Sequence, residues 1–184
     1  MKRVFIIHGW GGAPEGWLLD LKAAFEKLCF VAVAPQMPDT ENPRIESWVP
    51  FLSELVGTPD EETYFVGHSI GCQTIMRYLE SIDPRKVGGA FFVAGWFNLM
   101  NLEGPEEDEI ERPWISSPVD FEKIMRVTQN LTALFSDDDP VVPLSDKEIF
   151  AEKLQAKIIV KHSKEHFNDD GSVDLEEILA MVKN

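Results

Sequence analysis

TYFVGHSIGCQTIMRYLE, running from Thr63 to Glu80, is the stretch on which the fold turns. Its first four residues are β-branched, aromatic or apolar, the composition of a short strand buried on both faces. Gly67-His68-Ser69-Ile70-Gly71 follows, a G-x-S-x-G turn. From Ile70 to Leu79 the apolar residues fall at helical spacing. A strand, a sharp turn and a helix in immediate succession expose a serine at the helix start. The two glycines let the helix and the neighbouring strand close around that turn. Ser69 then sits at a helix N-terminus, where the dipole favours developing negative charge.

The rest of the chain repeats the alternation. Apolar runs at Val4–Ile7, Phe30–Ala34, Gly89–Ala94, Asn130–Phe135 and Ala156–Val160 read as five more strands. Helical patterns occupy Glu15–Lys27, Arg44–Val56, Asp146–Leu154 and Leu175–Val182. Strand–helix alternation predicts an α/β fold, a doubly wound, mostly parallel six-stranded sheet with helices on both faces. No repeat or linker divides it, so residues 1–184 read as a single domain. One polar stretch, Asn98–Pro118, carries no clear period and reads as a short lid-like loop.

In parallel sheets ligands bind beyond the carboxyl ends of the strands, so the chemistry is sought there. A serine nucleophile needs a general base, and the base needs an orienting acid. The fifth strand runs into Ser136-Asp137-Asp138-Asp139-Pro140, and the sixth into His162-Ser163-Lys164-Glu165-His166-Phe167. Serine, acid and histidine thus occur in the order that such turns use. Pro140 restrains the residue before it, which favours Asp139 over Asp138 and Asp137. His166 lies in the loop and His162 at the strand end, which favours His166. After the first strand, His8-Gly9-Trp10-Gly11-Gly12 is placed to give a backbone N–H to an oxyanion. Trp10 is the candidate, paired with Ile70 after the nucleophile. His8 stands beside this site as a support or a substrate contact. Trp96 and Trp114 are candidates to line a pocket for the acyl group.

These blocks, HGWGG, GHSIG, DDPVVP and HF, resemble the α/β-hydrolase superfamily. Met37-Pro38-Asp39, Trp48 with Pro50-Phe51, Met76-Arg77-Tyr78 and Arg112-Pro113-Trp114 narrow the resemblance. They are similar to the small serine hydrolases of the retinoblastoma-binding-protein and YdeN type, over essentially the whole chain. The resemblance implies a compact hydrolase fold without the first two strands of the larger members and without a large cap. It implies Ser69, Asp139 and His166 as a catalytic triad, with no metal and no cofactor. Glu165 departs from the glycine that many such enzymes carry before the histidine. The Leu-x-Cys-x-Glu binding motif of one branch is absent. The expected activity is cleavage of a small ester, thioester or amide through an acyl-enzyme on Ser69. The rival is a catalytically silent module that keeps the fold for protein interaction.

Composition narrows the partners. With 17 basic and 32 acidic residues the net charge is −15, which repels phosphate backbones and anionic membranes. The expectation is a small-molecule acyl substrate, no nucleic acid and no membrane; oligomeric state is not encoded legibly. Cys29 and Cys72 are too few for a disulfide framework. The N-terminal apolar run is shorter than a signal-peptide core, so a cytoplasmic protein is expected. His166–Glu177 mimics a calcium loop, but its first position is His166 and a strand precedes it. Gly9-Trp10-Gly11 opens like a dinucleotide fingerprint, but Pro14 stands where its third glycine belongs. The acids between Glu103 and Glu111 read as a solvated rim, which suits short soluble substrates better than lipids.

Overall fold

The central apolar runs become strands because they are buried on both faces. β1 spans Arg3–Ile7, β3 Thr63–His68, β4 Gly89–Val93 and β5 Leu131–Ser136. All six residues of β3 and β5 and all five of β4 are buried. β2, Val31–Val33, and β6, Lys157–Lys161, are the edges. β6 is partly exposed and begins and ends in lysine, a charge placement that discourages pairing with another edge. The order across the sheet is β2-β1-β3-β4-β5-β6, and every neighbouring pair is parallel. The sheet is therefore wholly rather than mostly parallel. This computed structural model describes residues 1–101, 104–169 and 171–182. Glu103 of the acidic run and Asp170 of the calcium-like loop lie outside the described residues.

Helices cover both faces. α1 (Trp17–Lys27) packs with α7 (Leu175–Ala180), and α3 (Ile70–Ser81) packs with α2 (Ile45–Val56) and α5 (Phe121–Val127). α6, Asp146–Leu154, lies against β5 and β6. The strand order reverses between β1 and β3. Their carboxyl ends open side by side there, the place where such sheets bind ligands. The HGWGG loop and Ser69 are the segments that emerge at that point. No described helix is long and apolar enough to cross a membrane.

The lid-like loop expected at 98–118 needs correction, because most of it is helix α4, Pro105–Ser116. Pro105 stands at the start of the helix, where a missing N–H costs nothing. Pro113 lies inside the helix, where a proline ordinarily ends or kinks one. Acidic residues dominate the segment, so the apolar signal shrinks to Ile110, Trp114 and the exposed Ile115. α5 also leaves no legible pattern: it has only seven residues, capped by Asp120, whose side chain accepts from the Lys123 N–H.

Candidate active site

Ser69 links β3 to α3 with φ 52° and ψ −121°, a conformation that L-residues rarely adopt. Surrounding bonds hold it there. Its N–H donates to the Val93 carbonyl, and its carbonyl accepts from the Cys72 N–H, both at 2.9 Å. The glycines are required by close approach. A Cβ on Gly71 would lie 2.4 Å from the Ile7 carbonyl oxygen, and one on Gly67 would lie 2.8 Å from the Cys72 nitrogen. The Ser69 hydroxyl makes no hydrogen bond among the described residues.

The three aspartates after β5 each take a different task. Asp137 accepts from Nδ1 of His162 at 2.6 Å, on the exposed surface. Asp138 Oδ1 accepts from the Ser136 hydroxyl and from the N–H groups of Lys164 and Glu165, so it binds the β5 and β6 loops together. Asp139 turns inward. Its Oδ1 accepts from the N–H groups of Val141 and Val142, and its Oδ2 from Nδ1 of His166 at 2.8 Å. Asp139 is buried and His166 largely covered, with side chains 2% and 12% exposed. Nδ1 therefore carries the proton, and Nε2 is left as a base with no partner among the described residues. His166 and Ser69 line one cavity of about 750 Å³.

His166 sits in a strained loop. Glu165 and Phe167 on either side have φ of 46° and 57°. The resemblance expects glycine before the histidine, and Glu165 adopts the backbone form that glycine would take most easily. Two side chains clamp the loop. His68 Nε2 donates to the His166 carbonyl at 2.8 Å, and the Trp17 indole donates to the Phe167 carbonyl at 2.9 Å. Burial, and then the neighbouring His166, push the His68 pKa down to about 3, so it stays neutral and donates.

The HGWGG loop is fixed in a similar way. His8 Nδ1 donates to the Gly9 carbonyl at 2.7 Å, and its Nε2 accepts from the Met37 N–H at 3.0 Å. Both ring nitrogens are taken, so His8 reaches the cavity only with its carbon edge and shapes the loop. The N–H groups of Trp10 and Ile70 donate to nothing among the described residues. Both residues, with Ser69, line a smaller cavity of about 250 Å³. Unpaired donors beside a serine are the requirement for holding an oxyanion. Trp96 lines this same cavity. Trp114 does not: its indole donates to the Pro43 carbonyl, and it borders a separate cavity.

Sequence reasoning gives no task to His68 or Trp17, and weighs Asp138 only as an alternative acid. His68 is in view inside GHSIG, but a contact to a residue 98 positions away leaves no periodic signal. Glu111 reads from sequence as part of a solvated rim, yet it is buried at 3% exposure, and Oε2 has no hydrogen-bond partner. Burial, with Asp108 and Glu107 nearby, raises its pKa to about 7.

His68 makes the fold acid-sensitive. The unfolded chain protonates it near its ordinary value while the folded protein does not, so the unfolded state binds the extra proton. Its contribution to stability is intact above pH 6.5 and falls by about 1.4 kcal/mol per pH unit below it. Urea unfolding at pH 7 and pH 5 should show a larger loss for the native protein than for His68→Gln. An equal loss would show that His68 is not buried as a neutral ring.

A parallel sheet, a strained serine after β3, and an acid and a histidine after β5 and β6 define an α/β-hydrolase. Within that class the chain belongs to the serine hydrolase family, whose model matches residues 4–184. It is 32% identical to YdeN of Bacillus subtilis over 178 residues, covering 95% of this chain and 90% of that one. It is 27% identical to the serine hydrolase RBBP9 of Rattus norvegicus over 186 residues, covering 99% and 94%. The crystal structure of the B. subtilis ydeN gene product superposes with a TM-score of 0.88 at 26% identity, covering both chains completely. This is a hydrolase of the YdeN and RBBP9 type.

Proposed function

We propose that the protein hydrolyses small soluble esters, thioesters or amides through an acyl-enzyme on Ser69. The observation that carries this is the largely covered Asp139–His166 pair, which leaves Nε2 as a free base bordering the same cavity as Ser69. Nε2 of His166 takes the Ser69 proton as Oγ bonds to the substrate carbonyl carbon. The N–H groups of Trp10 and Ile70 hold the oxyanion. His166 then returns the proton to the leaving group as the carbonyl–heteroatom bond breaks. Water repeats the sequence against the acyl-enzyme, with His166 again the base, and frees the acid. His68 and Trp17 act as positioning residues through the backbone of the base loop.

Cavities of about 250 and 750 Å³ beside Ser69 suit short groups. The helix that borders the smaller one is acidic, which opposes docking at an anionic lipid surface. A p-nitrophenyl ester series should therefore give its highest kcat/KM on short chains, with no activation by lipid vesicles. A fluorophosphonate probe should label the protein, and peptide mapping should place the adduct on Ser69. A folded protein that is neither labelled nor active on any ester would instead be the silent interaction module.

A further inference from the structure

We propose that the 250 Å³ cavity beside Ser69 recognises an acyl group bearing a protonated amine, with Glu111 as the carboxylate that selects it. The inference deepens the hydrolase reading above and rests on it. The two cavities that meet at Ser69 are not equivalent. A leaving group must receive its proton from His166, and His166 borders only the larger one. The acyl group is left with the smaller one, which Ile70 lines from the oxyanion side.

That smaller cavity is mostly apolar and aromatic, with Trp10, Trp96, Leu99 and Val141 in its wall. A pocket for a plain alkyl chain needs nothing more. Yet α4 turns Glu111 into it, and Glu107, one helical turn earlier, lines it too. Glu111 is almost wholly buried, and its Oε2 meets no donor among the described residues. No lysine or arginine among the described residues lines the cavity. A buried carboxyl oxygen without a donor is costly to keep, more so with an acid one turn away on the same helix face. Costs of this kind concentrate where a ligand relieves them. An ammonium group on the acyl chain supplies the missing donor and charge, and indole rings favour a cation nearby.

The wall is built in advance. The Gln73 side chain donates to the Trp96 carbonyl. Asp146, buried at 1% exposure, accepts from the N–H groups of Phe97 and Asn98 and from the Asn98 side chain. The segment after β4 that shares this cavity with Glu111 is thus pinned without substrate.

The test compares three p-nitrophenyl esters of similar size at pH 7.5, the butyryl, 3-methoxypropionyl and β-alanyl esters, each corrected for its spontaneous hydrolysis. The native enzyme should prefer β-alanyl over butyryl by about 10- to 100-fold in kcat/KM, the range for a hydrogen bond to a charged partner. In Glu111→Gln that ratio should collapse toward one. A native enzyme that favours the butyryl ester, or favours the methoxypropionyl ester as it would if Glu111 only donated a proton, overturns the proposal. So does an unchanged ratio in Glu111→Gln. A second arm needs no turnover. Propylammonium should quench tryptophan fluorescence saturably in the native protein, while propanol should not; equal responses overturn the proposal. Should no ester be cleaved and no fluorophosphonate bind, the hydrolase reading fails, and the propylammonium arm alone decides the pocket.

Discussion

Ser69→Ala should abolish turnover and fluorophosphonate labelling while the protein melts within a few degrees of the native enzyme. Losses on the order of 10⁶-fold in kcat follow removal of a serine that acts as nucleophile. Stability should hold because the hydroxyl makes no hydrogen bond that alanine would forfeit. Serine and alanine alike bear the strained backbone at φ 52°. Thermal melting and hydrolysis of a short-chain ester, measured on one preparation, decide the matter. A folded Ser69→Ala protein with near-native activity would remove Ser69 from the mechanism.

The second large effect separates two adjacent carboxylates. Asp139→Asn should cost about 10⁴-fold in kcat, the loss seen when the acid of such a triad becomes an amide. The amide oxygen of that variant goes to the N–H groups of Val141 and Val142, so its NH₂ turns toward His166. The imidazole must then accept at Nδ1, and its proton moves to Nε2, where a base is needed. Asp138→Asn should cost under about tenfold, because Oδ1 accepts all three of its bonds and an amide oxygen can accept them as well. A reversed ranking would assign the acid to Asp138. His162→Ala should likewise be mild, since that side chain is 87% exposed, whereas His166→Ala should inactivate.

Strands are legible in the sequence because burial on both faces makes them apolar throughout, and Val4–Ile7 or Phe91–Val93 need no partner to be recognised. The serine turn is legible because sterics leave only glycine at positions 67 and 71. The aspartate and histidine are narrowed by their place after β5 and β6, and the structure pairs Asp139 with His166 from among the alternatives. α4 is hidden by two prolines and an acidic composition, since helix recognition depends on an apolar stripe. Glu111 is hidden for the same reason: an acid among acids reads as solvent-facing, and only tertiary packing buries it. Clamps such as His68 on the His166 carbonyl and Trp17 on the Phe167 carbonyl have no local signature, because their partners are 98 and 150 residues away.

Those two clamps also set an order of assembly. Translation delivers Ser69 long before His166, and the His166 loop lacks its two clamps until α1 and the end of β3 have docked. Contacts of such span form late, after shorter loops have closed. A chain that stops short of residue 166 therefore presents Ser69 without the imidazole proposed as its base. On that proposal, hydrolytic power arrives only once the loop carrying His166 has docked against α1 and the end of β3.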